Sequence, residues 1–265
     1  MKTREIVEQF RVQFRPNYIA QRDEEATFRV AFETRIPLTI KGPTGCGKTR
    51  FIEYMAYTLN VPLITVSCHE DLTAADLVGR YLFKDDETVW QDGPLALAVR
   101  YGGICYLDEI VEARKDTTVI IHSLTDDRRI LYVDKTGEVI RAHDHFMMVL
   151  SYNPGYQSIV KDLKHSTRQR FASLVFCHPG IDVETRIVAT ETGLPEADSR
   201  RLAEMGSRIR ELRGFGLDEG VSTRLLVYVG RLMKGGLGPL EACQAAITQT
   251  LTEEAEVMES ITNIT

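Results

Sequence analysis

The segment GPTGCGKT, from Gly42 to Thr49, combines glycines with a lysine and a threonine that could together bind phosphate. Glycines let the backbone curl so that successive N–H groups point inward toward an anion. Lys48 would then reach the outer phosphates of a nucleotide, and the Thr49 hydroxyl would be a ligand of Mg²⁺. The alternative interpretation is a glycine-rich turn that binds nothing.

The sequence on either side of this loop favours phosphate binding. The preceding segment IPLTIK is rich in strand-forming residues, and the following segment TRFIEYMAYTL repeats its apolar residues at helical spacing. A loop between a strand and a helix gains the partial positive charge of the helix N-terminus. This is the setting that a phosphate-binding loop requires.

Two carboxylates follow a second apolar segment, ICYL. A continuous apolar run is typical of a strand that is covered on both faces of a parallel sheet. Asp108 at the end of this run would hold the Mg²⁺ shell, and Glu109 would orient and deprotonate an attacking water. Two acids could end a buried strand by chance, but the phosphate-binding loop earlier in the chain favours a catalytic pair.

Further polar residues could complete such a site. Asn153, after the apolar segment HFMMVLSY, could hold the same water or the γ-phosphate, although Asn-Pro-Gly is also a turn sequence. Arg168 and Arg170 are either surface charges or arginines that reach the γ-phosphate of a neighbouring subunit. Ser222 is a natural helix N-cap, which would place Arg224 in a first helical turn where a lid could press it on a nucleotide.

In this order, the motifs resemble those of the AAA+ ATPases, with ATP and Mg²⁺ as the implied cofactors. The resemblance assigns roles as Walker A to Gly42–Thr49, Walker B to Asp108 and Glu109, sensor 1 to Asn153, arginine finger to Arg170 helped by Arg168, and sensor 2 to Arg224. The implied catalytic residues are Glu109, Lys48, Asn153, Arg170 and Arg168. The implied nucleotide-binding residues are Gly42, Pro43, Thr44, Gly45, Cys46, Gly47, Lys48, Thr49, Arg50 and Arg224. The implied metal ligands are Thr49 and Asp108.

The resemblance extends over essentially the whole chain and is closest to one branch of that family. CHEDLTAADLVGRY resembles the T-x-x-D-L-x-G stretch of the MoxR branch, and ETVWQDGPLALAVRYGG matches the insert and GPL segment that follow it there. The run from His122 to Phe171, with LTDDRR, SYNPGYQS and LKHSTRQRF, looks like the CbbQ/NorQ subgroup.

Membership of that subgroup implies a motor that remodels another protein. The CbbQ members imply a rubisco activase that acts with a von Willebrand A domain adaptor, CbbO, to release inhibitory sugar phosphates from rubisco. The NorQ members imply maturation of nitric oxide reductase with the adaptor NorD, and the gas-vesicle protein GvpN is a more distant likeness. This sequence has no D-x-S-x-S metal site of its own, so we expect a separate adaptor. An arginine supplied by a neighbour would require a ring, and we expect a hexamer.

A different class of function is a nucleotide-dependent scaffold with little turnover, but such a scaffold needs no catalytic carboxylate such as Glu109. A DNA-acting motor is disfavoured, because the net charge of −6 argues against broad attraction to nucleic acid or anionic membrane. The five cysteines are scattered, which indicates reduced thiols and a cytoplasmic protein. The N-terminus has no apolar signal core, and no apolar run approaches the roughly 20 residues of a membrane span.

These residues must be positioned by an α/β fold, the αβα sandwich of a P-loop NTPase followed by a helical lid. We expect the nucleotide-binding core over residues 1–178 and the lid over residues 179–265. The predicted parallel strands are Ile36–Lys41, Val61–Ser67, Ile104–Asp108, Phe146–Tyr152 and Leu174–Phe176. The predicted lid helices are VETRIVATETG, ADSRRLAEMGSRIRELRG, STRLLVYVGRLMKGG and PLEACQAAITQTLTEEAEVM. The acidic last stretch is expected to fray.

Two segments predict short hairpins outside the sheet. The segment from Tyr81 to Trp90 alternates aromatic and polar residues around KDDE, and ILYVDKTGEVI has apolar arms around a turn that ends in Gly137. In the relatives such hairpins face a central pore, and ordinary surface hairpins are the alternative.

Overall fold

The computed structural model describes residues 3–154, 164–212, 217 and 220–264. The chain forms two compact units. The sheet unit contains the chain up to Pro16, Arg22–Lys41 and Thr49–Val175, and the helical unit contains Asn17–Gln21, Gly42–Lys48 and the chain from Phe176 onward. The domain division expected between residues 178 and 179 remains a prediction.

The described residues of the sheet unit form a parallel five-stranded sheet in the order β2-β5-β8-β1-β9. The strands are β1 Leu38–Lys41, β2 Leu63–Ser67, β5 Gly103–Asp108, β8 Phe146–Tyr152 and β9 Ala172–Val175. The predicted parallel α/β sheet is therefore confirmed, with differences at the strand ends. β1 begins at Leu38 rather than Ile36, β2 at Leu63 rather than Val61, and β5 at Gly103 rather than Ile104. β9 spans Ala172–Val175 rather than Leu174–Phe176. In this order β8 lies between β1 and β5, so polar residues that follow these strands meet at the same carboxyl edge.

The middle of this sheet forms the core. Every residue of β8 is buried, and so is every residue of β5 before Asp108. A strand covered on both faces has no solvent-exposed positions for polar side chains, which is why both strands appear in the sequence as continuous apolar runs. Side chains that can do chemistry are therefore confined to the strand ends.

The helices of the sheet unit connect these strands and cover them. They are α1 Thr3–Glu8, α2 Glu24–Glu33, α3 Lys48–Leu59, α4 Ala74–Val78, α5 Pro94–Tyr101, α6 Lys115–Ile120 and α7 His165–Arg168, with 3₁₀ turns at Ile110–Glu112 and His122–Leu124. Phe51, Ile52 and Met55 on α3 are fully buried, as the helical spacing of apolar residues predicted. Among the described helices of the chain, none combines the length and the apolar character that a membrane span needs.

Both predicted hairpins are present in the described part of the sheet unit. The first pairs β3 Gly79–Lys84 with β4 Glu87–Asp92, and the second pairs β6 Ile130–Val133 with β7 Glu138–Arg141. Asp85 and Asp86, which form the first turn, both have positive φ angles, of 52° and 61°. Left-handed residues in a two-residue turn match the twist of the strands, and aspartate tolerates this conformation better than most residues.

The described C-terminal part of the helical unit consists of helices. They are α8 Ile181–Thr192, α9 Glu196–Glu211, α10 Thr223–Lys234, α11 Pro239–Cys243, a π-helical turn Gln244–Thr248, α12 Gln249–Leu251 and α13 Ala255–Thr262. Gly193, with φ 70°, ends α8 in the left-handed conformation that a helix C-terminus favours. The predicted helix end at Gly214 lies outside the described residues.

The last predicted helix is wrong in one respect, because the segment from Pro239 to Met258 is not continuous. The backbone is extended at Thr252, with φ −157°, and the Thr252 hydroxyl accepts a hydrogen bond of 3.1 Å from the N–H of Glu254. Such a local bond competes with the helical ladder. The acidic end that we expected to fray instead forms α13, because Val257 and Ile261 bury their side chains in the core of the helical unit.

Candidate active site

The glycine-rich loop belongs to the helical unit, and its backbone requires glycine at two positions. Gly45 and Gly47 have φ angles of 68° and 99°, which other residues rarely adopt. A Cβ atom on Gly45 would lie 2.4 Å from Cβ of Ser222, so the loop packs closely against the residue that begins α10. A Cβ on Gly47 would have no heavy atom within 4 Å. The loop therefore leaves open space at Gly47, where a phosphate group could approach the backbone.

Lys48 is held inside the curve of this loop. Its Nζ atom donates to the carbonyl oxygens of Gly42, at 2.9 Å, and of Pro43, at 3.0 Å, and the side chain is buried. The neighbouring Cys46 is also buried, and burial raises the pKa of its thiol, which keeps the thiol neutral beside the ammonium group. The loop thus presents a cation and glycine backbone, as binding of an anion requires.

The remaining nucleotide-binding candidates lie beside these residues in the chain. Pro43 and Thr44 are half-buried within the loop. Arg50 is exposed on α3, where its Nη1 lies 3.8 Å from Oε2 of Glu53. Arg224 is exposed in the first turn of α10, and Ser222 caps this helix by accepting a hydrogen bond from the N–H of Leu225 at 3.3 Å. The predicted N-cap is confirmed.

In the sheet unit, hydroxyl groups surround the carboxylate of Asp108. The Tyr106 hydroxyl donates to Asp108 Oδ1 at 2.6 Å, and the Ser151 hydroxyl donates to the same oxygen. The Tyr106 oxygen also lies 3.4 Å from Oγ1 of Thr49. Both metal-ligand candidates, Thr49 and Asp108, therefore contact one buried tyrosine.

Glu109 follows β5 in a left-handed conformation, with φ 55° and ψ 46°. Its N–H donates to the Ser151 hydroxyl at 3.2 Å, and its Oε1 accepts from Nδ2 of Asn153 at 2.8 Å. Because of this conformation, Glu109 does not continue the alternation of side chains along β5. The structure thus brings the predicted base and the predicted sensor residue into direct contact.

These oxygen groups fit Mg²⁺. The hydroxyl of Thr49 and the carboxylate of Asp108 are hard ligands, which this cation prefers. Among the described residues, no group of three His, Cys, Asp or Glu side chains could hold a metal ion. Mg²⁺ suits such a sparse site, since it commonly binds through one or two protein oxygens together with water and substrate phosphates. Burial, helped by the charges of Asp108 and Glu109, raises the pKa of the nearby Cys68 thiol to about 12, which keeps this thiol protonated.

The two candidate finger arginines differ in their surroundings. Arg170 is half-buried, and its Nη1 lies 3.3 Å from Oδ2 of Asp126 and donates to the carbonyl oxygen of His122 at 3.3 Å. Arg168, at the end of α7, is exposed. Hydrogen bonds from Arg128 and then from Arg170 lower the pKa of Asp126 to about 2. Asp126 is therefore the intramolecular partner of Arg170.

Tyr106 and Ser151 are site residues that were not predicted from the sequence. Alternation along a strand places residues i and i+2 on the same face, so Tyr106 shares a face with Asp108, and Ser151 shares one with Asn153. This periodicity could have identified both residues, but a tyrosine within an apolar run is more simply interpreted as part of the core.

Comparison with known proteins identifies the family. Residues 37–171 match the family model described as AAA domain (dynein-related subfamily), and residues 184–265 match the model described as CbbQ/NirQ/NorQ C-terminal. Protein CbbQ of Hydrogenophilus thermoluteolus is 57% identical over 249 residues, which cover 94% of this chain and 93% of that protein. Protein NorQ of Paracoccus denitrificans is 54% identical, with 94% of this chain and 92% of that protein covered.

A solved structure supports the fold independently. A variant of RuvB from Thermotoga maritima aligns with a TM-score of 0.55 at 13% sequence identity, covering 93% of this chain and 70% of that one. At this identity the likeness concerns the fold alone. The family models and the close relatives show that the chain belongs to the AAA+ ATPases of the CbbQ, NirQ and NorQ type and is an ATP hydrolase.

Proposed function

We propose that this chain is the CbbQ-type motor of a rubisco activase, which couples ATP hydrolysis to release of inhibitory sugar phosphates from rubisco. The observation that carries the hydrolytic part is the contact between Asn153 and the Glu109 carboxylate directly after the Asp108 position. The identity of 57% with a CbbQ protein supports this choice of client. The NorQ-type alternative, maturation of nitric oxide reductase with NorD, is supported by an identity of 54%.

The proposed roles follow from the chemistry of each group. The loop from Gly42 to Lys48 binds the ATP phosphates through its N–H groups and the lysine ammonium. Thr49 and Asp108 hold Mg²⁺, which when bound neutralises charge on the phosphates. Glu109 orients and deprotonates the attacking water, and Asn153 holds the Glu109 carboxylate in position. A scaffold without turnover has no need of this base, so Glu109 argues for the motor.

The two hairpins offer a surface for a client protein. Phe83 is 75% exposed at the end of the first hairpin, and Tyr81 and Tyr132 are about half exposed. Large aromatic side chains in solvent are typical of protein-binding surfaces. The hairpins are joined, because the Tyr81 hydroxyl donates to the carbonyl oxygen of Lys135 at 3.3 Å. We propose that they face the central pore of a hexameric ring that works with a von Willebrand A domain adaptor of the CbbO type.

Reconstitution of rubisco reactivation tests this proposal. The purified chain, its von Willebrand A adaptor and ATP should restore carboxylation by rubisco that carries an inhibitory sugar phosphate. Glu109→Gln should abolish both reactivation and steady-state phosphate release, because the amide cannot accept a proton from water, while ATP remains bound. Maturation of nitric oxide reductase, with no effect on rubisco, would favour the NorQ-type alternative. Unchanged phosphate release by Glu109→Gln would contradict the assignment of the base.

A further inference from the structure

Tyr106 lies in the core of the sheet unit, but its hydroxyl faces the proposed metal site. The residue is fully buried, and it precedes Asp108 by two positions on β5. Its oxygen is 2.6 Å from Asp108 Oδ1 and 3.4 Å from Thr49 Oγ1. These two contacts join a strand end to the first turn of α3, and both partners are proposed metal ligands.

The direction of the hydrogen bonds follows from what each group can donate or accept. A tyrosine hydroxyl has one proton to donate and lone pairs that can accept. The carboxylate of Asp108 can accept but cannot donate, so the Tyr106 proton points to Oδ1. The lone pairs of the Tyr106 oxygen then face other donors, and the Thr49 hydroxyl is the donor at 3.4 Å.

Ser151 adds a second bond to the same carboxylate oxygen. Its hydroxyl donates to Asp108 Oδ1 and accepts the N–H of Glu109. Because the bonds from Tyr106 and Ser151 end on one oxygen, together they restrict rotation of the Asp108 carboxylate. Ser151 connects this carboxylate to Glu109, whereas Tyr106 connects it to Thr49.

We propose that Tyr106 is a positioning residue of the Mg²⁺ site, which sets the orientation of Asp108 and accepts the proton of the Thr49 hydroxyl. A hydroxyl that donates its proton to Tyr106 presents its own lone pairs to a cation. The inference rests on the proposed use of Mg²⁺ and ATP. It adds Tyr106 to the site as a residue that contacts the metal ligands but neither the metal nor the nucleotide. Outer-shell partners of this kind typically change metal affinity about 10- to 100-fold when they are removed.

Metal binding measured directly in the full chain tests this role. Mn²⁺ is titrated into protein saturated with ADP, and bound Mn²⁺ is followed by electron paramagnetic resonance. Tyr106→Phe keeps the ring and removes the hydroxyl, and we expect an affinity for Mn²⁺ about 10-fold weaker than that of the wild type. The affinity for ADP in the presence of EDTA should not change, because the proposed partners of Tyr106, which are Asp108 and the Thr49 hydroxyl, hold the metal and not the phosphates.

Tyr54→Phe is the matched control. Tyr54 is a buried tyrosine on α3 in the same unit, and its hydroxyl lies 3.3 Å from Oε2 of Glu25, so it too contacts a carboxylate. A purely structural role for buried tyrosine hydroxyls would affect both variants alike. The proposal predicts that Tyr54→Phe binds Mn²⁺ with wild-type affinity.

The outcomes separate this inference from the proposed function. Wild-type Mn²⁺ affinity in Tyr106→Phe, or an equal loss in Tyr54→Phe, would overturn the positioning role and leave the proposed ATPase intact. Wild-type protein that binds no Mn²⁺ in the presence of ADP would overturn the proposed function and this inference with it. If Tyr106→Phe is unfolded by circular dichroism, 4-fluorophenylalanine at position 106 replaces it, because fluorine fills the space of the hydroxyl without donating a hydrogen bond, and the same loss of Mn²⁺ affinity is expected.

Discussion

Glu109 has a left-handed backbone conformation, which its side chain disfavours. A left-handed conformation costs an ordinary L-residue about 1 kcal/mol, and it persists here with bonds from both sides of the residue. The N–H is bound by Ser151 and the carboxylate is bound by Asn153. Backbone strain that is maintained by neighbouring hydrogen bonds often marks a functional residue. For Glu109 we propose that this function is activation of water.

Replacement of Lys48 should weaken ATP binding, because no neutral side chain can supply the positive charge that this buried ammonium group places inside the loop. Lys48→Ala should weaken ATP binding by about 100-fold or more, since charge-assisted contacts to phosphate are worth roughly 1.5–3 kcal/mol each and the loop also loses the bonds to Gly42 and Pro43. Titration with a fluorescent ATP analogue measures the effect. Lys84→Ala, at the end of β3, is the control. Wild-type affinity for ATP in Lys48→Ala would contradict the proposed binding of phosphate by the glycine-rich loop.

Residues of the candidate site could be predicted from sequence where their type and spacing are unusual. Glycines with lysine and threonine between a strand and a helix, or paired acids after a buried strand, rarely occur without a ligand. Tyr106 carries no such signal, because a tyrosine in an apolar run satisfies the requirements of a core strand equally well. Asp126 could not be predicted as the partner of Arg170, since that pairing depends on tertiary structure over a long separation along the chain.

At the scale of elements, the start of α10 is set by a buried ion pair in the helical unit. Arg210 on α9 donates to both carboxylate oxygens of Glu184 on α8, at 2.8 and 2.6 Å, and its Nε donates to the carbonyl oxygen of Val221. The Thr223 hydroxyl donates to the same carboxylate at 2.6 Å. This network joins three helices and positions the turn that carries Arg224.

Removal of Arg210 should therefore destabilise the helical unit strongly. Arg210→Ala leaves the carboxylate of Glu184, which is 1% exposed, without its cation, and breaking a buried pair in this way costs about 3–5 kcal/mol. Urea unfolding followed by circular dichroism measures the loss. Arg200→Ala on the same helix is the control, because the ion pairs of Arg200 are exposed and are worth about 1 kcal/mol or less. Equal stability of the two variants would contradict the structural role of the pair.

The elements themselves could be predicted to the extent that local periodicity determines them. The buried strand β8 agrees with the sequence prediction to the residue, and the buried strand β5 differs only in its first residue. The break at Thr252 was missed because its neighbours repeat apolar residues at helical spacing, while a single side-chain hydrogen bond ends the helix. The close contact of Gly45 with Ser222 could not be predicted either, since it is a tertiary feature with no local signal.

In an assembly of several copies, Arg170 is the residue through which one subunit would act on the next. In the single chain it is bound by Asp126, and the two side chains are 33% and 26% exposed. Ion pairs this exposed to solvent are worth about 1 kcal/mol or less, so a phosphate group from a neighbouring subunit could replace Asp126 at little cost. The present arrangement is therefore compatible with a finger that is supplied to the next subunit of a ring.

Mixing of inactive variants tests this arrangement. Arg170→Ala should bind ATP, but its rate of ATP hydrolysis should fall by roughly 10³-fold. Glu109→Gln should be inactive because it lacks the base that activates water. In a ring, a Glu109→Gln subunit can still supply its arginine to an Arg170→Ala neighbour, so an equal mixture should recover about a quarter of the wild-type rate if assembly is random. Phosphate release measures the recovery. Arg168→Ala is mixed with Glu109→Gln in parallel to identify the main arginine finger.

A mixture of Lys48→Ala with Glu109→Gln should stay inactive, because each subunit then has a defective site of its own. If the first mixture has no more activity than its two components, Arg170 does not act on a neighbouring subunit.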